Sequence, residues 1–282
     1  MSAESSPVLF VHGFWHGSWC WSEVIARLTG MGHRAAAVDL AGHGLRAARP
    51  ECLRMRPCAA ESLATEVSPV ADVDLDEAGD LLVSQIKQVG GGRPITVVGH
   101  SAGGLVLTRA LELAPDLVAH VVYLAAFMPA AGIPGHAYLD MPEATGELVR
   151  SALRADPADI GALRLDLASN DPAYHQLLRK AFYGDLDEAT ADAAIGLLTP
   201  DSPARVLLEP TTLTKEGWGS VPRTYVVCTQ DMAIPLRLQR RFIADADTAF
   251  PDNRTSVVSL DSAHSPFLSM PDRVAEIVAN LA

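Results

Sequence analysis

Ile95-Thr96-Val97-Val98-Gly99-His100-Ser101-Ala102-Gly103-Gly104 is the stretch that decides the fold. Its first four residues are apolar or β-branched and read as a buried strand. Gly99-x-Ser101-x-Gly103 follows at once, and Leu105 to Leu113 continues at helical spacing. A strand, a sharp turn and a helix therefore meet on one serine. A serine at such a turn is held in a strained conformation that points its Oγ out of the sheet, and glycines at 99 and 103 let strand and helix come close around it. An ordinary glycine-rich turn would look the same locally. The two readings separate on whether a base and an acid follow in the order this chemistry requires.

Before this turn, Val8-Leu9-Phe10-Val11 reads as a buried strand ending in His12-Gly13-Phe14-Trp15-His16-Gly17-Ser18. Trp19 to Leu28 has helical spacing with Ser18 as its N-cap, and Gly30 and Gly32 stop it. Arg34 to Leu40 is the next strand. Residues 45–73 read as irregular, with Pro50, Pro57 and Pro69, and Asp74 to Val89 as a helix. After the turn come a strand at Ala119–Ala126, one at Thr224–Cys228, a helix from Arg237 to Ala246, a strand at Thr255–Leu260 and a helix at Arg273–Leu281. This alternation predicts a parallel sheet covered on both faces. Between 128 and 221 the pattern changes to prolines, acidic turns and short helices over 147–153, 157–167, 174–182 and 188–198, with no strand. The expected organisation is a core of 1–128 and 221–282, with 129–220 inserted as a helical cap over the carboxyl ends of the strands.

Composition limits the function. Apolar residues are 49 % of 282, enough for a large core, and no run reaches the ~18 residues that span a membrane. The first residues carry no basic or apolar leader, so a cytoplasmic protein is expected. A net charge of −12 argues against nucleic acid and anionic membrane as partners. Cys20, Cys52, Cys58 and Cys228 lack a second ligand pair at metal spacing and read as thiols in a reducing compartment.

A serine hydroxyl needs an adjacent base, and histidine, with an ordinary pKa near ~6.5, can take and return its proton. Of the nine histidines, His264 follows the strand ending at Leu260 and precedes the last helix, at the carboxyl end of the sheet. Asp231, three residues beyond the strand ending at Cys228, is the expected orienting carboxylate. Asp261 is a rival that would have to double back to reach the imidazole. Asp245 and Asp247 read as solvated charges at a helix end. The order Ser101, Asp231, His264 fits a nucleophile–acid–base set. An oxyanion would need two donors, for which the Ala102 N–H beside the nucleophile and the Phe14 N–H of the first turn are placed.

These segments resemble the α/β-hydrolase superfamily over nearly the whole chain. More narrowly, the chain resembles the group of plant salicylate methylesterases, hydroxynitrile lyases and related bacterial esterases. The matching stretches are Val11-His12-Gly13-Phe14-Trp15-His16-Gly17-Ser18-Trp19-Cys20-Trp21, Asp39-Leu40-Ala41-Gly42-His43, 99–104, Tyr123-Leu124-Ala125-Ala126-Phe127-Met128-Pro129, and Tyr225 to Asp231. The resemblance implies an α/β-hydrolase fold with a helical cap lining an apolar pocket. It implies Ser101, Asp231 and His264 as a triad with Phe14 and Ala102 as oxyanion donors, and no cofactor. It also implies a serine hydrolase acting on a small or medium apolar carboxylic ester. The family's lyases carry a lysine where this chain has Ser265 and a threonine where it has Gly13, which points away from cyanide release. A lyase or tailoring enzyme using the triad as a base, and a non-catalytic small-molecule receptor, are the competing readings. A homodimer is left open. Residues 45–73 and the cap are longer than in that group. The tryptophans near the first turn are expected to be packing residues, and His16 a hydrogen-bonded structural one.

Overall fold

The computed structural model describes residues 6–54 and 59–282. The strands are β1 (Val8–Val11), β2 (Ala35–Val38), β3 (Ile95–Ser101), β4 (Val118–Ala126), β5 (Ala162–Arg164), β6 (Asp201–Pro203), β7 (Arg223–Cys228) and β8 (Ser256–Leu260). Six of them form one sheet in the order β2-β1-β3-β4-β7-β8, with every neighbouring pair parallel. Nearly all residues of the inner strands are buried, as a sheet covered on both faces requires.

Side chains alternate across the strands, and the two faces build two cores. Leu9, Val11 and Val97 pack with helices Leu75–Gly90, Gly103–Leu113 and Leu236–Ala249. Val8, Phe10 and Val98 pack with helices Ser22–Gly30 and Pro271–Ala279 on the other side. Local chemistry sets the ends. Asp74 accepts the Glu77 N–H at 2.7 Å to open the helix Leu75–Gly90, and Gly91 closes it in the left-handed region.

Some sequence expectations need correction. Ser18 is not a side-chain cap. It begins a short 3-10 turn, Ser18–Trp21, and its N–H is taken by Asp39 Oδ1 at 2.7 Å, so the α-helix starts later, at Ser22. The stretch 45–73 holds short helical turns at Glu51–Arg54 and Ala60–Thr65. Cys58 lies outside the described residues, while Cys20 and Cys228 are buried thiols. The inserted segment is not all helical. The helix expected over 157–167 ends at Ile160, with Gly161 at φ 72° as its C-cap, and the chain continues as β5, antiparallel to β6. The reason is a buried ion pair: Arg164 and Asp201, both 0 % exposed, meet at 2.7 Å across this ladder. Asp245 and Asp247 are not simply solvated. Asp245 holds Arg241 and the Tyr138 hydroxyl, and Asp247 accepts the Thr255 N–H.

Candidate active site

Ser101 ends β3 with φ 52°, the left-handed region a non-glycine residue enters at a cost. The register against β4 slips here: His100 faces Leu124 and Ser101 faces Ala126, leaving Ala125 bulged at φ 43°. The Ser101 carbonyl accepts the Phe127 N–H at 3.0 Å. Close approach explains two glycines. A Cβ on Gly103 would stand 2.2 Å from the His12 carbonyl oxygen, and one on Gly13 would stand 2.5 Å from Ser101 Cβ and 3.1 Å from its Oγ. In this arrangement, then, a threonine at 13 has no room.

His264 follows β8 and is 1 % exposed. Its Nδ1 is 2.8 Å from Asp231 Oδ2. Asp231 is in turn fixed by backbone N–H donors from Ala233 (2.7 Å) and Ile234 (2.8 Å) on its other oxygen. A carboxylate held this way accepts only, so His264 Nδ1 donates to it. Asp261, the rival, is exposed and takes Thr229 Oγ1 and Gln230 Nε2 instead. Those two hydrogen bonds, Gln230 first, hold its carboxyl below the usual range. Ser101 Oγ makes no hydrogen bond to His264 among the described residues, so this link of the expected set is open.

A small cavity of about 40 Å³ is lined by Ser101, Ala102, Phe14, Trp15, Phe127 and Ile234 from the core. The inserted segment adds Leu139, Glu147, Val149, Leu163, Phe182 and Leu207. The N–H groups of Phe14 and Ala102 have no hydrogen-bond partner among the described residues. All three of these leucines, Leu139, Leu163 and Leu207, also wall an outer cavity of about 500 Å³ rimmed by His136, Asp140, Arg150 and Asp156.

Four buried histidines stand close to one another around the Ser101 turn, the rings of His12 and His43 5.2 Å apart and those of His16 and His100 5.9 Å apart. His12 Nδ1 is 2.7 Å from the Gly13 carbonyl and its Nε2 receives the Leu40 N–H at 3.1 Å. His16 Nδ1 meets the Phe14 carbonyl at 2.9 Å, and its Nε2 meets the Tyr183 hydroxyl at 2.9 Å. His16 is thus a hydrogen-bonded structural residue. His43 Nδ1 meets the Ala41 carbonyl and its Nε2 meets Ser202 Oγ, both at 2.9 Å. His100 Nε2 meets the His264 carbonyl at 2.8 Å, and its Nδ1 is buried without a partner. Burial, reinforced by His43, pushes His12 down to about 3; burial likewise takes His16 to about 3 and His43 to about 4. Burial and then His264 push His100 well below its ordinary value. All four are neutral at physiological pH.

Trp21 is packed in the core as expected, whereas Trp15 also walls the cavity and donates its Nε1–H to the Leu163 carbonyl at 2.9 Å. Glu147 was not singled out from sequence, where it reads as one more acidic residue of the insertion. Its side chain is 4 % exposed at the cavity wall and paired with Arg150 at 2.6 Å. Among the described residues no cluster of three or more His, Cys, Asp or Glu side chains is arranged to hold a metal ion, and no helix is long and apolar enough to cross a membrane.

Residues 8–277 match the model of the alpha/beta hydrolase family. The chain is 32 % identical over 237 residues to probable esterase PIR7A of Oryza sativa subsp. indica, covering 82 % of this chain and 81 % of that one. It is 26 % identical over 291 residues to methylesterase 1 of Arabidopsis thaliana, covering 100 % and 98 %. Among solved structures, a pyrethroid hydrolase from Sphingobium faniae JZ-2 aligns with a TM-score of 0.73 at 21 % identity, covering 98 % and 96 %, and a methylesterase, MES16 from Arabidopsis, with 0.67 at 21 %, covering 98 % of each.

Proposed function

Because the chain belongs to the alpha/beta hydrolase family, we propose that it is a serine carboxylic-ester hydrolase acting on a small or medium apolar ester. The reading rests on the strained Ser101, the His264–Asp231 contact at 2.8 Å, and the N–H groups of Phe14 and Ala102, which are unpartnered among the described residues and belong to residues that line the cavity with Ser101. Its esterase and methylesterase relatives support the same class of reaction.

In this reading Ser101 Oγ attacks the ester carbonyl carbon and its proton passes to His264 Nε2. Asp231 holds the ring with Nδ1 protonated and stabilises the imidazolium that forms. The carbonyl oxygen becomes an oxyanion between the Phe14 and Ala102 N–H groups. Collapse expels the alcohol, which takes the proton from Nε2 and leaves an acyl group on Ser101. Water then attacks the acyl carbon with His264 as base, and the acid departs. The Ser101–His264 hydrogen bond has to form as substrate engages, as is common when catalytic contacts tighten in the complex. The segment 129–220 acts as the cap that supplies the apolar wall.

Gly13 favours hydrolysis over cyanohydrin cleavage, because its close approach to Ser101 leaves no room for the threonine that the lyases carry there. Ser265 is neutral, fully buried and offers no cation to a departing cyanide. The test pairs wild type with Ser101→Ala on p-nitrophenyl acetate and mandelonitrile, and maps a fluorophosphonate adduct. Wild type should be labelled on Ser101, and the variant should lose at least about 10⁴-fold in kcat. Cyanide release without nitrophenol release would make it a lyase. An unlabelled Ser101 with an active Ser101→Ala variant would remove the nucleophile assignment.

A further inference from the structure

We infer that Ser202 and His43 are positioning residues for the oxyanion turn, an assignment that rests on reading the Phe14 N–H as an oxyanion donor. Trp15, the next residue, is held in the left-handed region at φ 61° and is 4 % exposed. It does not hold that conformation alone. Its N–H donates to Ser202 Oγ at 2.9 Å, its carbonyl accepts the Thr199 N–H at 2.6 Å, and its indole N–H donates to the Leu163 carbonyl. All three partners belong to the inserted segment, on or beside the β5–β6 ladder.

The Phe14–Trp15 peptide is gripped at both ends. Its carbonyl accepts from His16 Nδ1, and its N–H is taken by Ser202. The neighbouring Gly13–Phe14 peptide, which carries the proposed donor, has its carbonyl held by His12. With both planes fixed, the direction of the Phe14 N–H is fixed as well, on a residue that lines the cavity beside Ser101.

Ser202 can do this because its own proton has a destination. A carbonyl only accepts, so the contact with the Ala41 carbonyl requires the proton on His43 Nδ1 and leaves a lone pair on Nε2. The Ser202 hydroxyl therefore donates to His43 Nε2, and its oxygen lone pair faces the Trp15 N–H. The low pKa of His43, about 4 through burial, keeps this direction fixed at working pH. His43 also stacks on the Phe14 ring, 6.0 Å between centroids and 6° from parallel. The relay runs from the Trp15 N–H through Ser202 and His43 to the Ala41 carbonyl, joining the insertion to both turns of the core.

A positioning role shows in transition-state binding and not in ground-state binding. The experiment compares wild type, Ser202→Ala, Ser202→Thr, His43→Leu and His43→Gln. Readouts are kcat and KM on p-nitrophenyl acetate, and the affinity for a trifluoromethyl ketone, whose adduct with Ser101 carries the oxyanion. Ser202→Ala and His43→Leu should lose about tenfold in kcat and about tenfold in ketone affinity, with KM within twofold. Ser202→Thr and His43→Gln, which keep a hydroxyl and an acceptor at those places, should recover most of both. If Ser202→Ala fails to fold, the His43 pair carries the same comparison. Folded Ser202→Ala and His43→Leu with wild-type kcat and ketone affinity overturn the proposal. A loss that appears equally in KM, or that Ser202→Thr and His43→Gln do not restore, also overturns it. A wild type that forms no ketone adduct while still hydrolysing the ester removes the oxyanion reading itself.

Discussion

The sheet and the segment inserted between β4 and β7 hold themselves together by different means. The sheet is apolar strand against apolar helix on both faces, and its polar groups gather at the carboxyl end around Ser101. The insertion packs apolar side chains into the same core but has shorter elements, and these are also tied by polar point contacts. Three of its helices open on aspartates, Asp156, Asp171 and Asp187, each accepting a backbone N–H. Its small ladder is locked by Arg164–Asp201, and Arg164 also donates to the Leu63 and Glu66 carbonyls of the 45–73 stretch. Spread over many contacts, the core's stability is tolerant of single changes. The insertion shares the apolar core through residues such as Tyr138, Leu178 and Phe182, but adds a few buried polar links, and single substitutions at those links have sharp local effects.

Acid should break the core side of this contrast first. His12, His16, His43 and His100 are neutral when folded and take a proton when unfolded, so their folded pKa values lie below the ordinary ~6.5. The unfolded state then binds more protons, and stability is lost as pH falls from about 6.5 toward 4, by roughly 1.4 kcal/mol per histidine per pH unit. Thermal unfolding between pH 7 and 4.5 should show Tm dropping steeply. A flat Tm over that range would mean the histidines are not neutral in the fold.

Next in size is the contrast between two aspartates that follow adjacent strands. Asp231→Asn should lower kcat by about 10³–10⁴-fold through the wrong imidazole tautomer. Asp261→Asn, which touches only Thr229 and Gln230, should stay within about threefold of wild type on the scale of surface changes. Steady-state kinetics on both variants decide it, and the reverse ranking moves the acid role to Asp261.

In the insertion, Asp201→Ala leaves the Arg164 cation buried without its partner and should cost about 3–5 kcal/mol in denaturant unfolding. Replacing both, Arg164→Met with Asp201→Leu, should restore most of that. Equal losses in the single and double variants would show that the ladder needs the charges themselves.

The smallest effect belongs to the wall between the two cavities. Leu207→Ala should join the inner space of about 40 Å³ to the outer one of about 500 Å³ and shift kcat/KM toward bulkier esters by roughly tenfold, the scale of a few methylene contacts. An ester series from acetate to octanoate measures it, and an unchanged profile would mean that this leucine does not set size selectivity.

The same division explains what the sequence made legible. Ser101 ends a strand, and Asp231 and His264 stand just past theirs; β3 and β7, covered on both faces, announce themselves as apolar runs, so these positions could be read locally. Parallel order and the cores on both faces followed from the same periodicity. The β5–β6 ladder could not be read that way. Ala162-Leu163-Arg164 is too short for a pattern, and its partner lies beyond two helices. Arg164 and Asp201 look like surface charges until they are seen facing each other. One local signal was available: Asp156-Pro157 opens a helix and Gly161 closes it after one turn, which should have ended the helix expected over 157–167. The histidine frame was hidden for the opposite reason. Each histidine was visible, but what fixes its proton is a carbonyl or hydroxyl brought in from elsewhere in the chain.

The clamp on Trp15 has a consequence for the order in which the chain is made. Residue 15 leaves the ribosome early, yet its N–H partner lies 187 positions later and its indole partner 148 positions later. Until Ser202 has emerged and docked, Trp15 has nothing to balance its strained backbone, and the turn relaxes. A nascent or truncated chain ending before residue 202 can carry Ser101 but cannot complete the turn beside it. Non-local closure of this kind is slow, so this turn closes late, well after Ser101 beside it has been synthesised.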